Sequence, residues 1–138
     1  MTCVHLYTDG AARGNPGPAG AGIVVLGGDG TVIDESFRYL GAATNNVAEY
    51  EALISGLELC RKYHPCKIRV HMDSELVVRQ LQGVYRVKNE TLAGLYQKAI
   101  ELLNTFESHT LTHIPREKNA MADKLANKAI DTHQATSK

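Results

Sequence analysis

The chain has 138 residues and a formal net charge of zero, with 15 Lys and Arg against 15 Asp and Glu. This length predicts one domain with a single core, and a neutral charge argues mildly against a nucleic-acid partner. No stretch approaches the roughly 18 apolar residues of a membrane span and no signal segment opens the chain, so we expect a cytoplasmic protein with no membrane partner. Three cysteines, an odd number without a framework spacing, argue against a disulfide scaffold.

The first half of the chain predicts three strands followed by a helix. Apolar alternation and turn residues indicate strands over 4–9, 21–26 and 32–40. Glycines at 27–30 suit a tight turn, so the second and third strands are expected to form a hairpin. The apolar period then becomes helical over 48–63, and the pair His64-Pro65 ends that helix.

The second half alternates strands with helices. We predict a strand over 68–72, helices over 74–82 and 91–106, a strand over 111–114 and a helix over 119–130. Segments 83–89 and 115–118 are predicted loops, and Asn119 is the predicted N-cap of the last helix. Residues 132–138 are expected to form a frayed polar tail after a single domain at 1–131.

This order of elements predicts an α/β fold with a five-stranded mixed sheet flanked by helices. The hairpin supplies antiparallel pairing among the first three strands, and the β-α-β crossover that follows supplies parallel pairing. In such sheets, ligands gather at the carboxyl ends of adjacent parallel strands.

Four acidic residues occupy positions where a carboxylate is costly. Asp9 and Asp73 close two predicted core strands, and Glu49 and Asp123 lie in the first turns of two predicted helices. Hard carboxylate ligands favour Mg²⁺, or Mn²⁺ as a substitute, and two such ions would promote an in-line phosphoryl displacement. For any one of these residues alone, a capping or surface acid is the better interpretation.

A zinc cluster is the weaker metal hypothesis. Cys60, His64 and Cys66 supply only three soft ligands, and Pro65 interrupts their segment. Core and loop packing is therefore the preferred interpretation of these residues.

Four segments of the chain resemble type 1 ribonuclease H. They are YTDGAARGNPG at 7–17, TNNVAE at 44–49, MDS at 72–74 and NAMADKLA at 119–126. They occur in order over nearly the whole chain. The resemblance implies a ribonuclease H-like fold and two-metal hydrolysis of the RNA strand of RNA–DNA hybrids, leaving 5′-phosphate and 3′-hydroxyl ends.

The resemblance also implies a role for each acid. Asp9 would bridge both metals, and Asp123 would help to hold the ion that carries the attacking water. Glu49 and Asp73 would hold the ion on the leaving-group side. His113 matches a family histidine that assists proton transfer or product release.

Arg116 is an alternative to His113 in that role. Among the substrate residues, the family positions that read the RNA strand through its 2′-hydroxyls are matched by Asn15, Asn45 and Asn46. Thr44 and Asn89 match a pocket for a DNA-strand phosphate. Turn formation is the structural alternative for the asparagines, and Asn46 is also a candidate helix cap.

Several departures from the family pattern predict weaker binding of the substrate. A pocket arginine of many relatives is Ala42 here, and a common glutamine is Glu75. The short segment 83–89 replaces a basic helical handle and keeps only Arg86 and Lys88 as charged substrate contacts. We therefore expect a handle-less, archaeal- or bacterial-like member without an amino-terminal hybrid-binding domain.

Such a member would be a monomer, and some of its relatives also cut double-stranded RNA. Two other hypotheses stay open. One is a nuclease of the same fold that acts on DNA, and the other is a non-catalytic hybrid-binding module. Intact metal ligands weigh against the second, because a binding module tolerates their loss.

Overall fold

The computed structural model describes residues 3–65 and 67–136. Its elements in chain order are β1 (Cys3–Ala12), β2 (Gly17–Gly27), β3 (Val32–Ala43), α1 (Asn45–Arg61), β4 (Lys67–Met72), α2 (Glu75–Leu81), α3 (Glu90–Leu103), β5 (Ser108–His113) and α4 (Ala120–Thr136). A 3₁₀ turn, Arg116–Asn119, precedes α4. Cys66 lies outside the described residues, so the cysteine–histidine cluster stays untested.

The five strands form one mixed sheet in the order β3-β2-β1-β4-β5. β1 pairs with β2, and β2 with β3, in antiparallel register. β4 joins β1 and β5 in parallel. The predicted fold class is confirmed, and the carboxyl ends of β1 and β4 meet at one edge of the sheet.

The helices cover the sheet on both faces. The apolar core lies between the strands and the pair α1 and α3, and it includes Leu6, Val70 and Leu57. On the other face α4 packs over β2, β1 and β3. Within the described residues, no helix combines the length and apolar character needed to cross a bilayer.

Close approach of α4 depends on glycine in β2. A Cβ atom at Gly22 would lie 1.9 Å from the backbone oxygen of Ala122 and 2.7 Å from the nitrogen of Ala126. Gly22 pairs with Asp9 across the sheet. The absence of a side chain at this position therefore brings the first turns of α4, with Asp123, towards Asp9.

Several element boundaries differ from prediction. β1 continues three residues beyond Asp9, because its pairing with β2 extends to Ala12 and Ala19. Small residues give this extension no apolar alternation. β5 begins at Ser108 rather than at residue 111. The prediction missed this start because the side chains of β5 are mostly exposed and lack the apolar alternation that marks a strand.

The carboxyl-terminal helix differs most. Asn119 is not the N-cap of α4 but the buried last residue of the 3₁₀ turn. The helix runs to Thr136, so residues 132–136 of the predicted tail are helical, and residues 137–138 lie outside the described residues. Arg13 binds Asp131 and Gln134 of this last stretch, and Tyr39 stacks on His133. These long-range contacts extend the helix.

A substitution at Gly22 tests the packing of α4. We expect Gly22→Ala to lower the free energy of unfolding by more than about 2 kcal/mol, because its Cβ would overlap backbone that cannot give way. Gly94→Ala is the control, since nothing lies within 4 Å of its Cβ position in α3. It should be neutral or stabilise by about 0.5–1 kcal/mol. Urea unfolding measures both, and equal stabilities would contradict the packing argument.

Candidate metal centre

Three of the four predicted acids converge at the carboxyl edge of β1 and β4. Asp9 is 5% exposed and Glu49 is 7% exposed. Asp73 follows the last residue of β4. One carboxylate oxygen of each lies within 4.8 Å of those of the other two, a spacing that fits shared ligation of a cation.

Gly10 brings Glu49 into the cluster. A Cβ atom at Gly10 would lie 2.2 Å from the carbonyl carbon of Ala48, so only glycine lets α1 approach β1 this closely. The Gly10 N–H then donates a short hydrogen bond to Glu49 Oε1. Backbone contact and side-chain bond together fix the first turns of α1 against the strand that carries Asp9.

Asp123 lies beside this cluster, in the first turn of α4. It lines the same cleft, and its charge contributes to the raised pKa values of the three other acids. Arg116 Nη2 lies 3.8 Å from Asp123 Oδ1. The Asn127 amide donates to the Asp123 carbonyl oxygen at 3.0 Å and lies 3.5 Å from Oδ1.

Burial and mutual repulsion raise the pKa values of these three carboxyls. Burial, reinforced by the charges of Glu49 and Asp73, raises the pKa of Asp9 to about 10. Burial raises the pKa of Glu49 to about 8 against the opposing hydrogen bond from Gly10. Burial also raises the pKa of Asp73, while Asn119 and Arg116 oppose the rise.

The donor set fits a hard divalent cation. Among the described residues, no Lys or Arg nitrogen forms an ion pair with Asp9, Glu49 or Asp73. Buried carboxylates without a cationic partner are costly, and oxygen-only ligands select Mg²⁺ or Mn²⁺ over softer metals.

The cleft around the acids has a volume of about 450 Å³. Asn45 and Asn46 line it at the start of α1. Asn15 Oδ1 accepts a hydrogen bond from the Asn45 N–H at 3.0 Å, and Asn45 Oδ1 accepts one from the Ala12 N–H at 3.2 Å. These bonds join the β1–β2 loop to α1 and orient both amides.

Other predicted residues lie outside the cleft lining. Thr44, rather than Asn46, is the N-cap of α1, and its hydroxyl accepts from the Val47 N–H at 3.3 Å. Asn89 caps α3 in the same way. Arg86 and Lys88 are exposed between α2 and α3, and His113 is exposed at the end of β5. Arg116, the alternative to His113, does line the cleft.

The sequence did not predict the contacts of three further residues of the site, which are Arg13, Asn119 and Asn127. Arg13 lines the cleft, and its Nη2 lies 3.3 Å from Asn127 Oδ1. This contact turns the Asn127 Nδ2 group towards Asp123. Asn119 donates to the Thr8 carbonyl oxygen at 2.9 Å, while its own Oδ1 is buried without a partner among the described residues. Each contact joins segments more than 100 residues apart.

The mixed sheet with its acidic edge defines a ribonuclease H-like domain. A model of the family described as reverse transcriptase-like matches residues 7–129. Ribonuclease H of Paracidovorax citrulli is 32% identical over an alignment of 147 positions, gaps included. The alignment covers 95% of this chain and 96% of that protein. The chain belongs to the type 1 ribonuclease H family.

Two further relatives are more similar in sequence. Ribonuclease HI of Halobacterium salinarum is 45% identical over 128 residues, 93% of this chain and 64% of that protein. Its crystal structure has a TM-score of 0.92 and matches 94% of this chain and 98% of that chain. LC11-RNase H1, solved in complex with an RNA/DNA hybrid, has 48% identity and a TM-score of 0.91 over 95% of this chain and 99% of that one.

The chain is shorter than several proteins that it matches. It spans 64% of the Halobacterium relative and 35% of a bifunctional protein of Mycobacterium tuberculosis to which it is 46% identical over 129 residues. The comparison thus assigns a family to the domain, and the activity follows as a proposal.

The raised pKa of Asp9 predicts a pH-dependent stability. An acid whose pKa is higher in the folded than in the unfolded protein destabilises the fold as pH rises above the unfolded value of 3.8. In EDTA we expect the free energy of unfolding to fall by up to about 4 kcal/mol between about pH 6 and pH 9, which is the value for one such group over three pH units. Mg²⁺ should offset this loss, because a cation stabilises the ionised carboxylates.

Two variants make this measurement specific. Asp9→Asn removes the ionisable group, so in EDTA it should be more stable than the wild type at high pH and show a shallower loss. Asp29→Asn is the control, since hydrogen bonds from Thr31 lower the pKa of that exposed carboxyl. Urea unfolding across the pH range gives the slopes. A slope unaffected by Asp9→Asn would contradict the electrostatic account.

Proposed function

We propose that the chain is a metal-dependent endoribonuclease that hydrolyses the RNA strand of RNA–DNA hybrids. The observation that carries this proposal is the convergence of Asp9, Glu49 and Asp73, with Asp123 beside them, in an open cleft bordered by oriented asparagine amides. The family membership supports it, as does the hybrid bound to LC11-RNase H1.

The acids divide into two groups by position. Asp9, Glu49 and Asp73 each offer a carboxylate oxygen within 4.8 Å of those of the other two, and Asp123 lines the same cleft beside them. We assign Asp9 to both of two metal sites, Glu49 and Asp73 to the leaving-group side and Asp123 to the side of the attacking water. Two Mg²⁺ ions, when bound, would supply the charge that stabilises an in-line phosphoryl displacement and lowers the pKa of water.

Two side chains, Asn127 and Arg116, lie close to the carboxylate of Asp123. Asn127 contacts its Oδ1 at 3.5 Å, and Arg116 approaches the same atom at 3.8 Å. Arg13 fixes the amide of Asn127, so these contacts orient the carboxylate before substrate arrives. Arg116 also places a positive charge in the cleft, where a phosphate of the RNA strand would pass.

Proton transfer to the leaving group is assigned to His113 or Arg116. His113 ends β5 and pairs in register with Met72, one residue before Asp73. The imidazole of His113 can both accept and donate a proton, which suits proton transfer. The planar guanidinium of Arg116 suits phosphate binding. Cleavage at the 3′ oxygen would leave 3′-hydroxyl and 5′-phosphate ends.

The asparagines supply the preference for RNA. Asn45 Oδ1 and Asn15 Oδ1 accept backbone hydrogen bonds, which leaves their Nδ2 groups directed away from those partners. Together with Asn46 they offer donors to 2′-hydroxyls, the groups that distinguish RNA from DNA. Thr44 and Asn89 are proposed to contact a phosphate of the DNA strand through helix-start N–H groups.

Cleavage of labelled substrates tests the function. We expect the wild type to cut an RNA–DNA hybrid in Mg²⁺, and we expect Mn²⁺ to substitute for Mg²⁺. Asp9→Asn should lower the rate by at least about 10³-fold, since it removes the ligand shared by both metals. The Asp29→Asn variant should cleave like the wild type, because Asp29 is exposed and does not line the cleft.

The choice of substrate separates the remaining hypotheses. Hybrid, double-stranded RNA, duplex DNA and DNA with one ribonucleotide are compared at the same concentration. Cleavage of duplex DNA in preference to the hybrid would establish the DNA nuclease instead. Tight hybrid binding without cleavage in any metal would establish a binding module. Ligation of the products reports whether the new ends carry 5′-phosphate.

The exposed charges between α2 and α3 predict a second measurable property. Arg86→Ala combined with Lys88→Ala should weaken hybrid binding and reduce the slope of log affinity against log salt by about 1–2, because each phosphate contact releases a counterion. Arg61→Ala combined with Lys67→Ala is the matched control. These residues end α1 and begin β4, at the opposite end of the sheet from Asp73.

Fluorescence anisotropy in Ca²⁺ measures this binding without turnover. An unchanged slope in the Arg86 and Lys88 variant would place the phosphate contacts elsewhere in the domain. A monomer is the expected binding unit, and sedimentation of the same samples tests that expectation.

A further inference from the structure

A buried glutamine of α2 bonds both to α1 and to the segment that joins α2 to α3. Gln80 is 5% exposed, and Tyr50 of α1 is fully buried. The Tyr50 hydroxyl donates a hydrogen bond to Gln80 Oε1 at 2.6 Å. Gln80 Nε2 donates to the main-chain carbonyl oxygen of Arg86 at 3.4 Å. One side chain thus connects α1 with a residue that the proposed function places against the substrate.

The chemistry of these partners determines how the Gln80 amide is oriented. A main-chain carbonyl oxygen only accepts hydrogen bonds, so the amide nitrogen faces Arg86 and the amide oxygen faces Tyr50. Burial raises the pKa of the Tyr50 hydroxyl, which therefore stays protonated and able to donate at neutral pH. A reversed amide would leave the carbonyl oxygen of Arg86 facing a second acceptor. Both ends of the Gln80 amide are therefore used.

The backbone at residues 86–88 has few other attachments to the domain. Before it, Val84 and Tyr85 close the end of α2, and their N–H groups both donate to the Arg79 carbonyl oxygen. Among the described residues, the Gln80 amide is the only hydrogen-bond partner of the backbone at 86–88. A groove of about 410 Å³ lies between this segment and α3. Side-chain packing therefore leaves space beneath the segment, and the amide holds its backbone.

We propose that Gln80 is a positioning residue for substrate binding, because its amide fixes the backbone that carries Arg86 and Lys88. A polar side chain in a core is costly unless its hydrogen bonds are made, and the other buried positions of α2 are valine and leucine. The inference rests on the proposed function, in which Arg86 and Lys88 contact phosphates. Tyr50 directly follows Glu49, so the same bonds relate these contacts to the acidic centre.

Three variants test this role. Gln80→Met keeps a side chain of similar length but removes the amide that makes both bonds. Tyr50→Phe combined with Gln80→Met removes both polar partners from the core, so its stability should return towards that of the wild type. Gln82→Met is the matched control. Its amide, on the same helix end, donates to the Leu111 carbonyl oxygen of β5 at 3.0 Å and not to the segment 86–88.

Nitrogen-15 relaxation of the free protein measures the order of the segment 86–88. We expect its backbone order parameters to be about 0.8 in the wild type and in Gln82→Met, and to fall to about 0.6 or lower in Gln80→Met. They should stay low in the double variant although its stability returns. This difference separates positioning of the segment from a general contribution of Gln80 to stability.

Hybrid binding in Ca²⁺ measures the consequence for the substrate. Gln80→Met should raise the dissociation constant about 3- to 10-fold and reduce the slope of log affinity against log salt by about 1, because the phosphate contacts lose their fixed geometry. In Mg²⁺, KM should rise while kcat stays within about twofold of the wild type. Once Arg86 and Lys88 are both replaced by alanine, Gln80→Met should have little further effect on binding.

Three results would overturn the proposal. They are unchanged order parameters in Gln80→Met, hybrid binding that is normal or follows stability alone across the variants, and an equal loss of binding with and without Arg86 and Lys88. The first would reduce the amide bond to a core contact, and the other two would separate it from the substrate. Failure of the wild type to cleave a hybrid that it binds would instead overturn the nuclease, since order and binding are measured without turnover.

Discussion

The cost of gathering buried carboxylates governs the rest of this structure. Asp9, Glu49 and Asp73 have carboxylate oxygens within 4.8 Å of one another, and among the described residues no Lys or Arg forms an ion pair with any of them. The surrounding fold must supply that stability, and it does so through glycine. Gly10 admits α1 and Gly22 admits α4, so the sheet and both helices pack at backbone distance around the acids. A hard cation would turn this cost into binding energy.

The sequence predicted the features that have a local or repeated signal. Apolar alternation and helical period gave the order of elements, and the strand ends gave Asp9 and Asp73 a common edge. The identification of Glu49 and Asp123 as partners came from their places on helix starts together with the family motifs. The fold class and family are confirmed, whereas the individual roles of His113, Arg86 and Lys88 stay predictions.

What the sequence did not predict is contact between distant segments. Arg13 donates a hydrogen bond to Asn127, and Asn119 donates one to the Thr8 carbonyl oxygen. Neither pairing follows from periodicity, capping or spacing. Asn119 illustrates the competition between local and tertiary preferences. An asparagine before a helix is a favoured N-cap, yet here its side chain is used to bond the backbone of β1 instead. Boundaries were missed where small or exposed residues carry no alternation, as in β5.

The contacts of Arg13 connect the last turns of α4 to the acidic edge of the sheet. One guanidinium binds Asp131 and Gln134 near the end of the helix and Asn127 beside Asp123. Helix ends fray at little cost in free energy, and the Arg13–Asp131 ion pair is exposed, so salt weakens it. Through Arg13, fraying there would relax the amide that faces Asp123. The order of the exposed end of α4 and the geometry of the cleft around Asp123 are therefore coupled.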